Sequence, residues 1–441
     1  MTVRNTVDVR TVEDREAGGR FTIYRTEHEG GIVAQTALHA EGLPNSVGGV
    51  RMVVTGALRE LLHLSAGMTD KLAAADLPCH GQKSLIVCPN GLPVGNEARA
   101  AILADHIREV RRVAPGVIFG PDMGISEEVL DLVARDPELR AHVAGCTEIW
   151  GGLSIDQEGY TGAGLVAAID VARQEKPQLP LETASIQGFG AVGAHAGRLL
   201  AAQGIRVIGA SIAEGALIAR DRKKGLPVLA LFEAWRRGGD AEVRAVARAH
   251  EGEIRWESDP DVLFETPADV FVPAARTTVL ATAEELPTAR AENPKVRDVL
   301  AFAEATGVRL VAEGANHPLS YAAEAALEAR GVVVVPDIIG NPGGVVGCYF
   351  EWLERTRVLA APRERARVAR AARGYADEAI RRNTRAVLAS ALGSRAATRV
   401  ILDEAMRRWR AVADPVTTFR HAAERFYPAP AHESLTSTSQ A

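Results

Sequence analysis

Three side chains in the first third of the sequence have types suited to moving protons beside a carboxylate-bearing molecule. Lys71 closes the run GMTDK (67–71), Lys83 ends PCHGQK (78–83), and Asp122 lies in VIFGPDMGIS (117–126). Each lysine borders an apolar stretch. The aspartate follows a strand-like run, beside glycine and proline, in the kind of strand-end loop that often carries function. Lysine is scarce, occurring six times among 51 Lys and Arg residues. Arginine meets the general need for positive charge, so a lysine in apolar surroundings points to what arginine cannot do, which is lose its proton near neutral pH when buried. Two ammonium groups and one carboxylate suit the oxidation of an amino acid. One ammonium holds the α-carboxylate, a second of depressed pKa acts on water or an imine, and the carboxylate carries protons to and from nitrogen. Taken alone, the same residues would also serve as surface lysines and a turn cap.

A second constellation lies near the middle of the chain. The apolar run ETASIQ (182–187) leads into GFGAVG, residues Gly188, Phe189, Gly190, Ala191, Val192 and Gly193. A helical stretch and a second strand, IRVIGAS (205–211), follow. Strand, glycines, helix and strand in this order form a dinucleotide-binding turn. Gly188 permits the tight turn, Gly190 lets backbone approach a pyrophosphate, and Gly193 lets helix pack on strand. The acidic residue that usually reads the ribose 2′-hydroxyl is missing, because Ser211-Ile212-Ala213-Glu214 stands there. Ser211 could donate to a 2′-phosphate, with Arg220, Arg222, Lys223 and Lys224 supplying charge, and Glu214 could replace the lost acid. The cofactor is therefore NAD or NADP, with a lean to NADP.

These groups must be positioned by a chain of 441 residues, of which 47% are apolar, enough for two domains. Net charge is −5, which gives no electrostatic reason to expect nucleic acid or an anionic membrane as partner. Cys79, Cys88, Cys146 and Cys348 show no metal-binding spacing and read as reduced thiols, so no metal is expected. The polar N-terminus and the lack of any run of about 18 apolar residues predict a cytoplasmic protein without a membrane span. Residues 1–18 read as a weakly ordered lead-in and 428–441 as a disordered tail. FTIYRT and GIVAQTALHA predict strands joined at Gly30-Gly31, and residues 56–76 predict a helix. From about 160 to 346, strands such as ADVFVPAA (268–275), VRLVAEGA (308–315) and GVVVVPDI (331–338) alternate with helices, predicting a parallel sheet covered on both faces. From 351 to 425 the pattern is helical.

Several of these segments resemble the glutamate/leucine/phenylalanine/valine dehydrogenase family over residues 20–415. LPNSVGGVRM (43–52), GMTDK, PCHGQK and GPDMG each resemble one of its motifs, and VAEGANHPLS (311–320) and VVVVPDIIGNPGGVVGCYFEW (332–352) match it most specifically. The resemblance implies an α/β, two-domain amino-acid dehydrogenase architecture. Residues 1–150, with the 351–425 helices packing back, form a substrate and oligomerisation domain, and residues 155–346 form a Rossmann-type NAD(P)-binding domain. It implies a homo-oligomer acting on a small amino acid or 2-oxo acid. Lys71 becomes the α-carboxylate anchor, and Lys83 and Asp122 the catalytic pair. Thr161, Ala274 and Asn316 fall near the cofactor, and Gly49 and Asn341 near the substrate.

The implied side-chain pocket is Val47, Cys79, Gly120, Val345 and Cys348. Glutamate-specific members place lysine at the position of Val47 and serine at that of Cys348, so the resemblance points to an apolar or aromatic L-amino acid. The same chemistry on a non-standard amino acid, a glutamate dehydrogenase (disfavoured by Val47 and Cys348) and a catalytically silent regulatory paralogue are its alternatives. His80 and Gln82 stand where small residues are usual, and Asp70 where an aromatic is common, which marks either an unusual substrate or altered activity.

Overall fold

A computed structural model describes residues 7–39, 42–355, 357 and 362–427. The expected tail at 428–441 lies outside the described residues. The first sheet contains β1 (Asp8–Asp14), β2 (Gly19–His28), β3 (Ile32–His39), β4 (Ser46–Val53), β5 (His80–Val87) and β6 (Val117–Gly120), in the order β1-β2-β3-β5-β4-β6. β1, β2, β3 and β5 pair antiparallel, while β4 lies parallel to both β5 and β6. A turn at Glu29–Gly31 joins β2 to β3, with Gly30 and Gly31 both at φ 74, a left-handed conformation open to glycine without strain. The helix Leu58–Ala74 packs on β5 and β3. It buries Leu61, Ser65, Thr69 and Leu72, spaced by three and four residues along one face.

The expectation of a weakly ordered lead-in fails where the chain is described. Asp8–Asp14 pairs residue for residue with Arg25–Gly19. This strand is mostly exposed and is held by ladder hydrogen bonds, which hydropathy does not report. An edge strand of this kind can be polar on both faces.

The second sheet contains β7 (Thr183–Gln187), β8 (Arg206–Ile212), β9 (Gly215–Ala219), β10 (Ile254–Glu257), β11 (Val270–Pro273), β14 (Leu310–Ala312) and β15 (Val333–Val335). β12 (Leu280–Ala281) and β13 (Arg297–Asp298) form a separate pair. The order is β10-β9-β8-β7-β11-β14-β15. β7, β8, β11, β14 and β15 run parallel, as the alternating pattern predicts. β9 and β10 run antiparallel at one edge. The sequence reading of a parallel sheet did not include this antiparallel edge, which arises where a two-residue turn, Ala213-Glu214, folds the chain from β8 straight back into β9.

Ala184, Ile186, Val207, Val270, Leu310 and Val335 carry the core under the parallel strands. The helix Pro362–Ala389 packs on the helices Tyr160–Glu175 and Gly343–Leu353, and the helix Ser394–Arg410 on Leu58–Ala74. The C-terminal helices thus touch elements beside both sheets of a two-domain α/β architecture whose second sheet is Rossmann-type. Among the described residues, no helix is long and apolar enough to cross a membrane.

Candidate active site

The parallel ladders among β4, β5 and β6 set the centre of the site. They place Val47 beside Gly81 and Gly49 beside Gly120. Lys83 follows on β5, and Asp122 follows β6 in a turn closed by reciprocal bonds between Asp122 and Ile125 (3.0 and 2.9 Å). The Lys83 ammonium and the Asp122 carboxylate pair directly. Gly49 makes room for them, because a Cβ there would lie 2.8 Å from Pro121 O, 2.9 Å from Asp122 Cβ and 3.2 Å from Lys83 Nζ.

Arg51, two residues beyond Gly49 on the same strand, donates from Nε to Asp122 Oδ2 (3.1 Å) and from Nη1 to Glu60 (2.9 Å). Asp122 Oδ1 accepts from Met123 N (2.7 Å). Burial alone would raise the Asp122 pKa, but the Lys83 and Arg51 cations and the Met123 N–H outweigh it and hold the carboxyl below its ordinary range. Lys83 is 7% exposed. Burial lowers its pKa more strongly than the adjacent Asp122 raises it, and Arg51 lowers it further. An amine held low beside an ionised carboxylate is equipped for general base work. Arg51 was not singled out from the sequence, although GGVR contains it.

Lys71 sits in the last turn of Leu58–Ala74. Its ammonium donates to Asn316 Oδ1 at 2.6 Å, a contact between residues 245 apart in sequence. Burial pushes its pKa down to about 8, with Lys83 adding to the fall and Asp337 and Asp122 opposing it. Asn341 donates from Nδ2 to Gly314 O, Ala315 O and Asn316 Oδ1 (3.2, 3.3 and 3.3 Å), tying the segment after β14 to the segment after β15. Lys71, Lys83, Asp122, Asn316 and Asn341 are therefore one neighbourhood.

Val47 and Cys79 are buried in one apolar cluster, with Val345 and Cys348 packed against it from the helix Gly343–Leu353. A Cβ on Gly120 would meet only ordinary contacts at 3.7 Å or more. The charged groups acting on Cys348 are Glu351, Glu127 and Asp156, all acidic, and burial followed by these carboxylates raises its thiol pKa. Thr161 lies in the first turn of Tyr160–Glu175, and a Cβ on Gly344 would come 3.1 Å from its Oγ1.

His80 and Gln82 are buried away from this neighbourhood. The period-two alternation of β5 puts them on the face opposite Lys83. His80 Nε2 accepts from Leu43 N (2.8 Å). Gln82 donates from Nε2 to Gly48 O (2.6 Å) and Ile118 O (3.0 Å), bracing the ends of β4 and β6. Asp70 pairs with Arg399 (3.0 Å). All three departures from the family pattern have structural work of their own.

The glycine turn suits a dinucleotide. Gly188 has φ 95, and a Cβ there would come 2.5 Å from Ala275 Cβ. A Cβ on Gly193 would overlap the Gly188 carbonyl, whereas one on Gly190 would meet nothing within 4 Å. Gly190 thus faces open space at the start of the helix Ala191–Ala202, where Ala191 and Val192 offer the first-turn amides that cradle an anion. Ala274, after β11, donates to Gln187 O (2.8 Å) and would touch a Cβ on Gly314 at 3.0 Å.

Phe189 and Ser211 serve the turn itself. The Phe189 ring is 1% exposed and its N–H bonds Ser211 O (2.6 Å), while Ser211 Oγ accepts from Gly188 N (3.1 Å). Ser211, at 3% exposure, is not free to meet a 2′-phosphate, and Ile212 is 4% exposed. Arg220, Arg222, Lys223 and Lys224 follow β9 back to the start of β8, where Gly225 packs on Arg206 and Leu226 N bonds Val207 O. That is roughly 20 Å from Ile212 at about 3.3 Å per residue, so the basic run cannot serve a 2′-phosphate there. Glu214 is paired with Arg244. The acid beside the end of β8 is instead Asp240, whose Oδ2 accepts from Ala213 N (3.2 Å). It is delivered by a kinked helix, Val228–Ala249, with non-helical Gly238 and Gly239.

Residues 151–400 match the family model described as Glutamate/Leucine/Phenylalanine/Valine dehydrogenase. An NADP(+)-dependent glutamate dehydrogenase of Pyrobaculum calidifontis is 30% identical over 335 residues, 73% of this chain and 72% of the relative. An NAD-specific glutamate dehydrogenase A of Halobacterium salinarum is 31% identical over 318 residues, 70% of this chain and 65% of the relative. Among solved structures, a hetero-hexameric glutamate dehydrogenase from Thermus thermophilus, in a Leu-bound form, superposes with TM-score 0.62 at 22% identity, covering 94% of this chain and 89% of the other. An L-tryptophan dehydrogenase from Nostoc punctiforme gives TM-score 0.60 at 18% identity, covering 90% and 98%. With its motifs assembled on this fold and more than half its length matched by the family model, the chain belongs to the glutamate/leucine/phenylalanine/valine dehydrogenase family of amino-acid dehydrogenases.

Proposed function

We propose that this amino-acid dehydrogenase, dependent on NAD or NADP, oxidatively deaminates an L-amino acid with an apolar or aromatic side chain to its 2-oxo acid and ammonia, or runs the reverse amination. The observation that carries the reading is the Lys83–Asp122 pair in one electrostatic neighbourhood with the Lys71–Asn316 contact, together with Val47 and Cys348 standing in a neighbouring apolar cluster. Lys71 holds the substrate α-carboxylate. Lys83, its pKa lowered by burial, takes a proton from the attacking water. Asp122, kept ionised by Lys83 and Arg51, moves protons to and from the substrate nitrogen. The nicotinamide supplies the hydride acceptor. Gly188, Gly190, Gly193 and the first turn of Ala191–Ala202 would hold the dinucleotide, with Thr161 and Asn316 beside its reactive end.

A glutamate side chain would bring a second carboxylate against Val47, in an apolar cluster, and against Cys348, where Glu351, Glu127 and Asp156 add acidic groups. A carboxylate buried without a cation costs several kcal/mol, so glutamate is disfavoured. Asp240 at the end of β8 suits a ribose 2′-hydroxyl and repels a 2′-phosphate, which favours NAD over NADP. The mostly exposed edge strand β1 supports self-association, since an open edge offers unpaired backbone groups to a second copy.

The test is reduced-nicotinamide absorbance with NAD and with NADP, across the twenty L-amino acids and the matching 2-oxo acids with ammonia. Turnover with leucine, valine, isoleucine, phenylalanine or tryptophan and none with glutamate is expected. Turnover confined to glutamate would overturn the pocket argument. Silence across the panel would point to a non-standard substrate or a silent paralogue.

A further inference from the structure

Behind the Lys71–Asn316 contact lies a buried charge cluster that the reaction does not use. Glu313 follows β14, Asp337 follows β15, and Glu324 lies on the helix Tyr321–Glu328. Their side chains are at most 1% exposed. A single cation reaches all three. Arg395, in the first turn of Ser394–Arg410, contacts Glu324 with two nitrogens (2.6 and 2.5 Å), and its Nη2 lies 3.1 Å from Glu313 Oε2 and 3.1 Å from Asp337 Oδ1. The Tyr321 ring covers the guanidinium at 4.7 Å. Three carboxylates cannot all stay ionised around one guanidinium in a dry interior. Burial and the neighbouring carboxylates hold Glu313 protonated well above the ordinary range, while Arg395 and His317 keep Asp337 ionised against its burial.

Each acid is tied to the backbone that presents the anchor. Glu313 Oε2 accepts from Asp337 N (2.9 Å), joining the two strand-end segments. Asp337 Oδ2 accepts from His317 N (2.9 Å). His317 directly follows Asn316 and has φ 45, a left-handed conformation that a residue with a Cβ holds only when its surroundings impose it. Asn341, one turn beyond Asp337, donates to Asn316 Oδ1. One turn along the same C-terminal helix, Arg399 pairs with Asp70, the residue next to Lys71. A single helix face therefore holds the Lys71 side of the contact through Arg399 and the Asn316 side through Arg395.

We propose that Arg395 is a positioning residue for substrate binding: by gathering Glu313, Glu324 and Asp337 it imposes the backbone that aims Asn316 at Lys71, so that affinity for the α-carboxylate is set from the C-terminal helix. The inference rests on the reading of Lys71 as carboxylate anchor. Loss of Arg395 releases His317 from its strained conformation and lets Asn316 leave the ammonium, while the glycine turn at 188–193 and the Lys83–Asp122 pair stay in place. Lysine does not replace Arg395, since it lacks the planar fork whose Nε and Nη2 together hold both oxygens of Glu324.

The experiment is a double-mutant cycle on the full-length enzyme with Arg395→Met, Lys71→Met and the pair, plus Arg395→Lys. It follows KM for the amino acid, kcat, and nucleotide binding by fluorescence. Arg395→Met is expected to raise KM roughly five- to thirtyfold, the upper part of the range of coupling carried through a packed network. kcat should stay within about threefold and nucleotide affinity should be unchanged, with Arg395→Lys no better than Met. On the Lys71→Met background, removing Arg395 should change KM by less than about twofold, because its route of action is gone. Equal effects on both backgrounds, or a loss of kcat with KM unchanged, would overturn the positioning role. If Lys71→Met itself leaves KM unaltered, the anchor reading fails, a result read separately from the Arg395 arm. Should Arg395→Met not fold, Glu324→Gln enters the same cycle. That change keeps the side-chain shape but removes one ionic partner and one of the two oxygens that accept from Arg395, and the same non-additivity with Lys71→Met is expected.

Discussion

The carboxylate anchor makes a quantitative prediction about pH. Lys71 is pushed down to about 8, chiefly by burial. With that value it keeps roughly nine-tenths of its charge at pH 7 and roughly one-tenth at pH 9. A carboxylate ligand needs the charged form, so binding is strong below the Lys71 pKa and weakens as pH rises through it. The expected change in dissociation constant between pH 7 and pH 9 is about tenfold, or about 1.4 kcal/mol. Amino-acid substrates blur this measurement, because their own ammonium titrates nearby and Lys83 must be neutral for turnover. The inhibition constant of an amine-free analogue, 4-methylpentanoate or 3-phenylpropanoate, at saturating nicotinamide cofactor isolates the anchor. A normal lysine, titrating at 10.5, would leave the constant almost flat over this range. An inhibition constant that moves less than twofold between pH 7 and 9 would show either that Lys71 does not hold the carboxylate or that its burial does not depress it. Lys71→Met separates the two, since only a true anchor loses inhibitor binding at pH 7.

Three further outcomes follow from the site. Lys83→Met should lower kcat by about 10²–10⁴-fold, the usual worth of a general base, with the inhibition constant of the analogue nearly unchanged; kcat within threefold of the parent enzyme would refute the assignment. Val47→Lys should bring glutamate turnover up from background, measured as kcat/KM against that for leucine, and no gain would refute the reading of Val47 as a determinant of side-chain choice. Deleting residues 1–14 removes β1 and should lower the melting temperature by several degrees, consistent with about 1–2 kcal/mol in a large domain; an unchanged melting curve would make β1 dispensable.

The glycine turn and the alternating strands were legible because their signals are local. A strand, a tight turn and a helix start each leave a mark within a few residues, and β7, β8, β11, β14 and β15 fall where those marks lie. β1 left little, since Val9 and Val12 are the only apolar residues of its seven and it is held by its ladder to β2. The fold-back of β9 and the delivery of Asp240 by a helix kinked at Gly238-Gly239 depend on where the chain goes after β8, which hydropathy does not encode. The basic run at 220–224 looked adjacent to the cofactor only in sequence. The antiparallel turn carries it to the other end of the strand. Charge clusters were the least legible features. Arg51 lies inside the GGVR segment, but its reach to Asp122 and Glu60 leaves no mark in sequence, and Arg395 meets acids 58 to 82 positions earlier in the chain, a meeting that only the packed helices arrange.

His80 and Gln82 show why a departure from a family pattern need not be a departure in chemistry. On an extended strand, neighbouring side chains face opposite ways, so the residues flanking Lys83 lie on the far face of β5. Gln82 spends its amide on the carbonyls of Gly48 and Ile118, at the ends of the strands that deliver Gly49 and Asp122. A small residue there would leave those two carbonyls to find other partners, and unpaired buried carbonyls are costly. Gln82 thus stiffens the frame around the Lys83–Asp122 pair from the opposite face of β5. Opposite perturbations of the pair complete the arrangement. Burial leaves Lys83 easier to deprotonate, while Arg51 and the Met123 N–H join the Lys83 cation in holding Asp122 below its ordinary range, and the proposed roles of base and proton carrier rest on this difference in the surroundings that β4, β5 and β6 impose.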